Sequence, residues 1–242
     1  MPKRFAILER LSYLRTLYET RLVEYLFEHN ADVNLADNEG LAPLHVAALE
    51  NFPDLAQILR DAGREVVRTG LDGFHNPPEI RHRLGPNSVE GYRRNSFDYS
   101  SVRRLVLDPL GPGGDLSYQT EIFDHLEGKT RATETKKASP KAILLFEGVM
   151  LFREELCNCF DYKILVHSSF EVALERAKVR DLRKFGSLEI LLQKYTQRFF
   201  PGQKEYLEQS RPEKLADIVV KNDDCESPTI CFGSKETQDK GQ

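Results

Sequence analysis

No apolar run in this 242-residue chain approaches the roughly 20 residues that a bilayer-crossing helix needs, so no membrane span is expected. Cysteine is scarce. Cys157 and Cys159 form a C-x-C, and Cys225 and Cys231 lie far downstream. Zinc sites prefer C-x2-C pairs, so the expectation is no zinc and ordinary reduced thiols. An excess of positive charge is also missing: 34 Lys and Arg stand against 38 Asp and Glu, a net charge of −4. That removes the electrostatic footprint of a nucleic-acid binder. The acid at Glu9 interrupts the N-terminal segment too early for the apolar stretch of a secretory signal, so an intracellular, cytoplasmic protein is the expectation. Finally, no segment reads G-x-x-x-x-G-K-[ST], the pattern whose backbone N–H groups and lysine cradle nucleotide phosphates. Gly128-Lys129-Thr130 is a fragment of it, but Phe123 stands where the first glycine belongs. Apolar residues make up 40% and charged residues 30%, so the chain can build a packed core.

The first quarter has an internal echo. Leu22-Val23-Glu24-Tyr25-Leu26-Phe27-Glu28-His29-Asn30 aligns with Leu55-Ala56-Gln57-Ile58-Leu59-Arg60-Asp61-Ala62-Gly63 at an offset of 33 residues. Between the copies, Gly40-Leu41-Ala42-Pro43-Leu44-His45-Val46-Ala47-Ala48 resembles the G-x-T-P-L-H-x-A-A of ankyrin repeats, whose period is also 33. The resemblance implies an all-α, ankyrin-like segment over residues 1–64, with the helical pattern starting near residue 8. It amounts to one complete repeat and half of another, fewer than the about three such units usually need to bury their faces. A strand from residues 4–8 inserted into a downstream sheet would overturn that assignment.

From Glu65 the periodicity changes. Glu65–Leu71 reads as a strand. Ala142-Ile143-Leu144-Leu145-Phe146-Glu147 is a short apolar run, as in a strand buried on both faces. Tyr162–Val166 and Asp217–Val220 are two more. Between them, Ser168-Ser169-Phe170-Glu171 opens a helix as a capping box with Ser168 as the cap. Leu188, Leu191, Leu192, Tyr195 and Phe199 trace one helical face. Strands alternating with helices predict an α/β fold with a parallel sheet and helices on both faces. Residues 127–141 are expected to be a loop and 226–242 a disordered tail.

Six blocks then follow in order: Asp72-Gly73-Phe74-His75-Asn76-Pro77, Glu90-Gly91-Tyr92, Ser96-Phe97-Asp98-Tyr99, Asp108-Pro109-Leu110-Gly111-Pro112-Gly113-Gly114-Asp115, Leu145-Phe146-Glu147-Gly148-Val149 and Phe200-Pro201-Gly202-Gln203. Their order and spacing resemble the P-loop kinases related to uridine kinase and phosphoribulokinase, over about residues 65–223. The resemblance implies a uridine-kinase-like domain over 65–225 and ATP-dependent phosphoryl transfer to a small-molecule hydroxyl, with Mg2+ and ATP as cofactors and a nucleoside-like substrate. In such a sheet the strand order is 2-3-1-4-5, and strand 1 feeds the phosphate loop. With no such loop in the sequence, and with Arg4-Phe5-Ala6-Ile7-Leu8 running into helical pattern, strand 1 is expected to be missing along with it.

The same resemblance assigns roles. Asp72, at the end of its strand, is the carboxylate that takes the proton of the acceptor hydroxyl; Gly73 departs from a second acid common at that place. His75 and Asp98 are the sugar-side groups, with Tyr118 and Arg176 as neighbours. Glu147, a carboxylate ending an otherwise apolar strand, is the metal-side acid, since such a group needs a cation or a donor. Arg176, Arg180 and Arg183 form a lid over the moving phosphate, for which a planar guanidinium is suited; read without the family, they are a charged helix face. The expectation is a degenerate uridine/nucleoside kinase-like protein, its phosphoryl transfer lost or severely weakened. The alternative is an ankyrin-mediated protein-binding module with a non-catalytic kinase remnant.

Overall fold

A computed structural model of the chain describes residues 65–124, 128–131, 133–225 and 227–232, together with the backbone of residues 5–10. One six-stranded sheet organises it, built from β1 (Phe5–Arg10), β2 (Val66–Gly70), β3 (Ile143–Gly148), β4 (Tyr162–His167), β5 (Ile218–Lys221) and β6 (Thr229–Phe232). The strand order is β6-β5-β4-β1-β3-β2, and every pairing is parallel except that of β5 with β6. The apolar runs form the inner strands because a parallel sheet is covered on both faces. Ile143, Leu144 and Phe146 of β3 and Ile164, Leu165 and Val166 of β4 are all buried.

Two expectations are corrected. The place of strand 1 is filled: β1 lies between β3 and β4, with Ala6 opposite Leu145 on one side and Tyr162 on the other. The flanking strands have backbone donors and acceptors that a central strand must satisfy, and Phe5–Arg10 satisfies them. That arrangement overturns an ankyrin segment beginning at residue 8; the remainder of that assignment, residues 11–64, lies outside the described residues. The second correction concerns the tail. Thr229–Phe232 pairs antiparallel with Ile218–Lys221, so the span expected to be disordered supplies the edge strand, Phe232 opposite Ile218.

The helices that bear on the site are α1 (Pro78–Arg81), α2 (Val89–Asn95), α3 (Tyr99–Val102), α4 (Phe170–Phe185), α5 (Leu188–Lys194) and α6 (Phe200–Ser210). Helix α4 starts one residue later than expected. Ser169 is its cap, accepting from the Val172 N–H, because the Ser168 hydroxyl is drawn off to the Asn222 carbonyl at 3.1 Å. It ends at Gly186, whose φ of 78° is the left-handed stop that glycine allows. A π-helical turn, Tyr195–Phe199, joins α5 to α6. Leu191 and Tyr195 are buried there against Ala177, with Leu192 and Phe199 beside them. Leu188, expected on the same face, is exposed. Within the polar stretch, Lys129–Thr130 pairs with Phe123–Asp124, so Gly128-Lys129-Thr130 is a hairpin.

Candidate active site

Strand β2 runs directly into a 3-10 turn, Leu71–Phe74, which turns Asp72 outward while Leu71 and Phe74 anchor in the core. Strand β3 lies alongside, with Gly70 opposite Glu147. The ends of both strands therefore open on one cleft of about 370 Å³, lined by Thr69, Gly70, Asp72, Gly73, Thr120, Glu121, Glu147, Gly148 and Val149. The carboxyl ends of strands are where open α/β sheets bind ligands.

Glycines make this convergence possible. A Cβ on Gly70 would stand 2.7 Å from Cγ of Glu147 and 2.8 Å from its carbonyl oxygen. A Cβ on Gly148 would meet Cβ of Leu71 at 2.6 Å. At Gly73, where a second acid was the alternative, a Cβ would stand 2.7 Å from the Thr120 carbonyl oxygen. The turn after β2 can come this close to the 120–121 segment only without a side chain at Gly73. Thr69 fastens the same segment by donating its hydroxyl to the Thr120 carbonyl at 2.7 Å.

Asp72 is exposed, and its carboxylate has no hydrogen-bond or ion-pair partner among the described residues. The ring nitrogen Nδ1 of His75 lies 2.9 Å from the Asp72 carbonyl oxygen. A carbonyl can only accept, so Nδ1 carries the proton and Nε2 is left as the acceptor. The His75 ring leans on Phe97, centroids 4.5 Å apart, and backbone bonds from Asn76 to Ser96 and from Asp98 to Phe74 tie the two loops together. Glu147 is half-buried and pairs with Arg68 of β2 at 3.3 Å. The cation that a strand-ending carboxylate needs is thus supplied by a neighbouring strand.

The other expected site residues are deployed elsewhere. Asp98 caps α3: one oxygen accepts from the Ser101 N–H at 2.9 Å and the other from the Ser101 hydroxyl at 2.7 Å. Tyr118 is buried in the main core, and burial, then the charge of Glu65, push its phenol up. Arg176 donates to the Asn222 carbonyl at 2.8 Å, the Asp223 carbonyl at 3.0 Å and the Ser168 hydroxyl at 3.2 Å. Arg180 pairs with Asp181 through two N–H groups and with the Tyr195 hydroxyl at 3.1 Å. Arg183 is exposed on the same helix, and none of the three lines the cleft.

Sequence reasoning missed Thr69, Thr120 and Glu121, which line the cleft, and Arg68, which pairs with Glu147. The alternation of β2 could have flagged Arg68 and Thr69 as lying on opposite faces. Thr120 and Glu121 stand in a polar stretch with no period. Arg131 adds a cation behind them, 3.0 Å from Glu121 and 3.7 Å from Asp124.

No protein-family model matches the chain. In sequence it is similar to the uridine kinase of Chlamydia pneumoniae, 27% identical over 151 residues that cover 62% of this chain and 64% of the relative. The uridine kinase of Halalkalibacterium halodurans is 29% identical over 164 residues, 59% of this chain and 76% of the relative. The chain thus spans just under two thirds of the Chlamydia enzyme's length. Among solved structures it resembles a possible uridine kinase from Bacillus stearothermophilus, with TM-score 0.58, 17% identity and coverage of 90% of this chain and 89% of that one. The phosphoribulokinase of Rhodobacter spheroides gives TM-score 0.54 at 15% identity, covering 91% and 71%. Among the described residues no helix is long and apolar enough to cross a membrane. Likeness in sequence and likeness in fold agree on one architecture: the mixed α/β, parallel-sheet fold of the P-loop kinases related to uridine kinase and phosphoribulokinase.

Proposed function

We propose that the chain is a small-molecule kinase of the uridine-kinase type that keeps the acceptor side of its phosphoryl-transfer site and has a degenerate nucleotide side. The observation that carries this reading is the pair of carboxylates, Asp72 and Glu147, on one cleft at the ends of adjacent parallel strands. Asp72 is the general base toward the acceptor hydroxyl. An exposed carboxylate with no partner among the described residues can accept that proton. His75 stands beside Asp72 on the sugar side, and each oxygen of Asp98 keeps lone pairs beyond those used by Ser101.

Mg2+ ordinarily takes one or two protein carboxylates together with water and nucleotide phosphates. Glu147 fits that role if Arg68 yields its contact, and Asp72 borders the same cleft. The ion would supply charge neutralisation for the transferred phosphoryl group. Against a competent site stands the sequence itself, which contains no G-x-x-x-x-G-K-[ST]. The motif contributes several backbone donors and a lysine together, and single preorganised groups of this kind are worth about 10²–10³ in rate.

The test is titration of the purified chain with magnesium-ATP by calorimetry, followed by assays with uridine and cytidine. The expectation is no saturation at physiological ATP and transfer at least ~10³-fold below an intact uridine kinase. Micromolar ATP affinity, or turnover that Asp72→Asn abolishes, overturns the degenerate reading and restores a competent kinase. Absence of any nucleoside binding overturns the retained acceptor side.

A further inference from the structure

Away from the cleft, four basic side chains meet where α1 faces the π-helical turn. Arg81 ends α1, His82 follows it, Lys194 ends α5 and Arg198 lies in the turn itself. Arg198 is only 5% exposed. One of its N–H groups donates to the Pro86 carbonyl at 2.6 Å, and Lys194 donates to the same carbonyl at 2.8 Å and to the Asn87 side chain at 2.7 Å. Arg198 also approaches Nδ1 of His82 at 3.3 Å. A guanidinium cannot accept, so His82 is the acceptor and is neutral in this arrangement.

Among the described residues the cluster has little counter-charge. Among the described residues that act on these four groups, the only carboxylate is Glu79, an exposed neighbour of Arg81. The remaining partners are neutral: the Pro86 carbonyl, the Asn87 amide and two aromatic faces. Arg198 stands over the ring of Tyr92 at 5.9 Å and Arg81 over that of Phe123 at 5.7 Å. The Nε–H groups of Arg81 and Arg198 are both buried with no acceptor among the described residues. Burial, reinforced by the mutual repulsion of the cations, pushes His82 and Lys194 down.

Taking cations out of water without an anion is unfavourable, and leaving their N–H donors unpaired compounds the cost. Guanidinium groups that stand over aromatic rings are recognised by the oxygens of a tetrahedral anion through N–H groups that the protein leaves unpaired, here the Nε–H of each. We propose that Arg81, His82, Lys194 and Arg198 form an oxyanion site that takes the phosphate group of a small molecule. Nε2 of His82 and the ammonium of Lys194 offer donors on the more open side, and the two guanidinium groups supply charge from beneath. The site does not depend on phosphoryl transfer at the Asp72–Glu147 cleft.

Phosphate on its own and a phosphate monoester present the same oxygens, so the test uses both. The full chain is titrated at constant ionic strength with inorganic phosphate, ribose 5-phosphate and uridine 5′-monophosphate, followed by phosphorus NMR line width and by melting temperature. The expectation is saturable binding at millimolar concentration or below, weakened at least about tenfold in Lys194→Gln and in Arg81→Gln. Lys194 is half-buried and does not hold up the core, so its variant stays informative even if an Arg198 variant fails to fold. Equal affinity for all three ligands assigns the site to the free oxyanion. Tighter binding of a monoester assigns it to the phosphate of an organic ligand. No saturable binding of any of them, or binding unchanged in both variants, overturns the proposal.

Discussion

Two sets of arginines in this molecule have opposite circumstances. Arg176 and Arg180, on α4, stand where a phosphate-neutralising lid was expected, and both are occupied by the protein's own acceptors. Arg81 and Arg198, which no motif announces, stand over aromatic rings and carry buried N–H groups with no acceptor among the described residues. The difference teaches that the spacing of arginines on a helix does not decide what they bind. A guanidinium beside a carboxylate, as in Arg180, or beside two loop carbonyls, as in Arg176, is a structural tie. A guanidinium among other cations is a demand for an anion.

The comparison breaks most sharply at Asp181. Its carboxylate accepts from Arg180 and from the Tyr195 hydroxyl at 2.5 Å, and Tyr195 is buried in the cluster that joins α4 to α5. Asp181→Asn removes from Arg180 the carboxylate charge it pairs with in a part-buried setting, and the expected loss is about 2–3 kcal/mol of unfolding free energy. Denaturant titration measures it; a loss within experimental error would mean that Arg180 is free to act as a lid after all. A smaller loss, about 1–2 kcal/mol, is expected for Arg176→Ala, which removes two hydrogen bonds from α4 to the segment after β5 and one to the Ser168 hydroxyl. If that variant keeps its stability but loses nucleoside binding, Arg176 belongs to the acceptor site and not to the scaffold.

The opposite sign is expected in the other set. In buffer free of phosphate and sulfate, Arg81→Gln and Lys194→Gln relieve repulsion, so the melting temperature should stay the same or rise slightly. Each substitution loses some packing or a carbonyl contact, which keeps the gain small. A clear fall in melting temperature for both would show that the cluster is satisfied by the protein as it stands.

How much of this could be read beforehand follows from the range over which each feature is determined. The strands at 143–148, 162–167 and 218–221 announce themselves as apolar runs, because burial on both faces leaves no alternation to confuse. Strand β1 escaped, since Phe5-Ala6-Ile7-Leu8 is too short to separate strand from helix and leads into residues with helical spacing. Its identity is fixed by unpaired backbone on strands more than a hundred residues away in sequence, with Ala6 between Leu145 and Tyr162. Glu147 stood out because a carboxylate at the end of an apolar strand is an anomaly within a few residues, whereas Asp72 was marked only by the resemblance of its block to a kinase family. The occupation of Arg176 could not be foreseen, as its acceptors lie 46 and 47 residues further on. The meeting of His82 with Arg198, 116 residues apart, leaves no mark on either local sequence.

The smallest effect, and the one that separates the two regions by pH, concerns His82 and Asp181. Burial, then Arg198, Arg81 and Lys194, hold His82 below its ordinary value. As pH falls through about 6.5, unfolded chains take up a proton that the folded chain resists, so this group's contribution to stability is present above that pH and is lost as pH falls. Asp181 is also held below its ordinary range. Burial alone would raise it, but hydrogen bonds from Arg180 and Tyr195 and the nearby positive charges prevail. Its contribution is present at neutral pH and is lost only as pH falls below about 4. Unfolding free energy measured from pH 7.5 to 3 should therefore decline in two stages. His82→Gln should flatten the first stage and leave the second, and Asp181→Asn should do the reverse. The first stage is small because His82 is partly open to solvent, and a bound oxyanion should diminish it further by favouring the imidazolium. A first stage unchanged by His82→Gln would place its origin in another group and remove His82 from the cationic cluster.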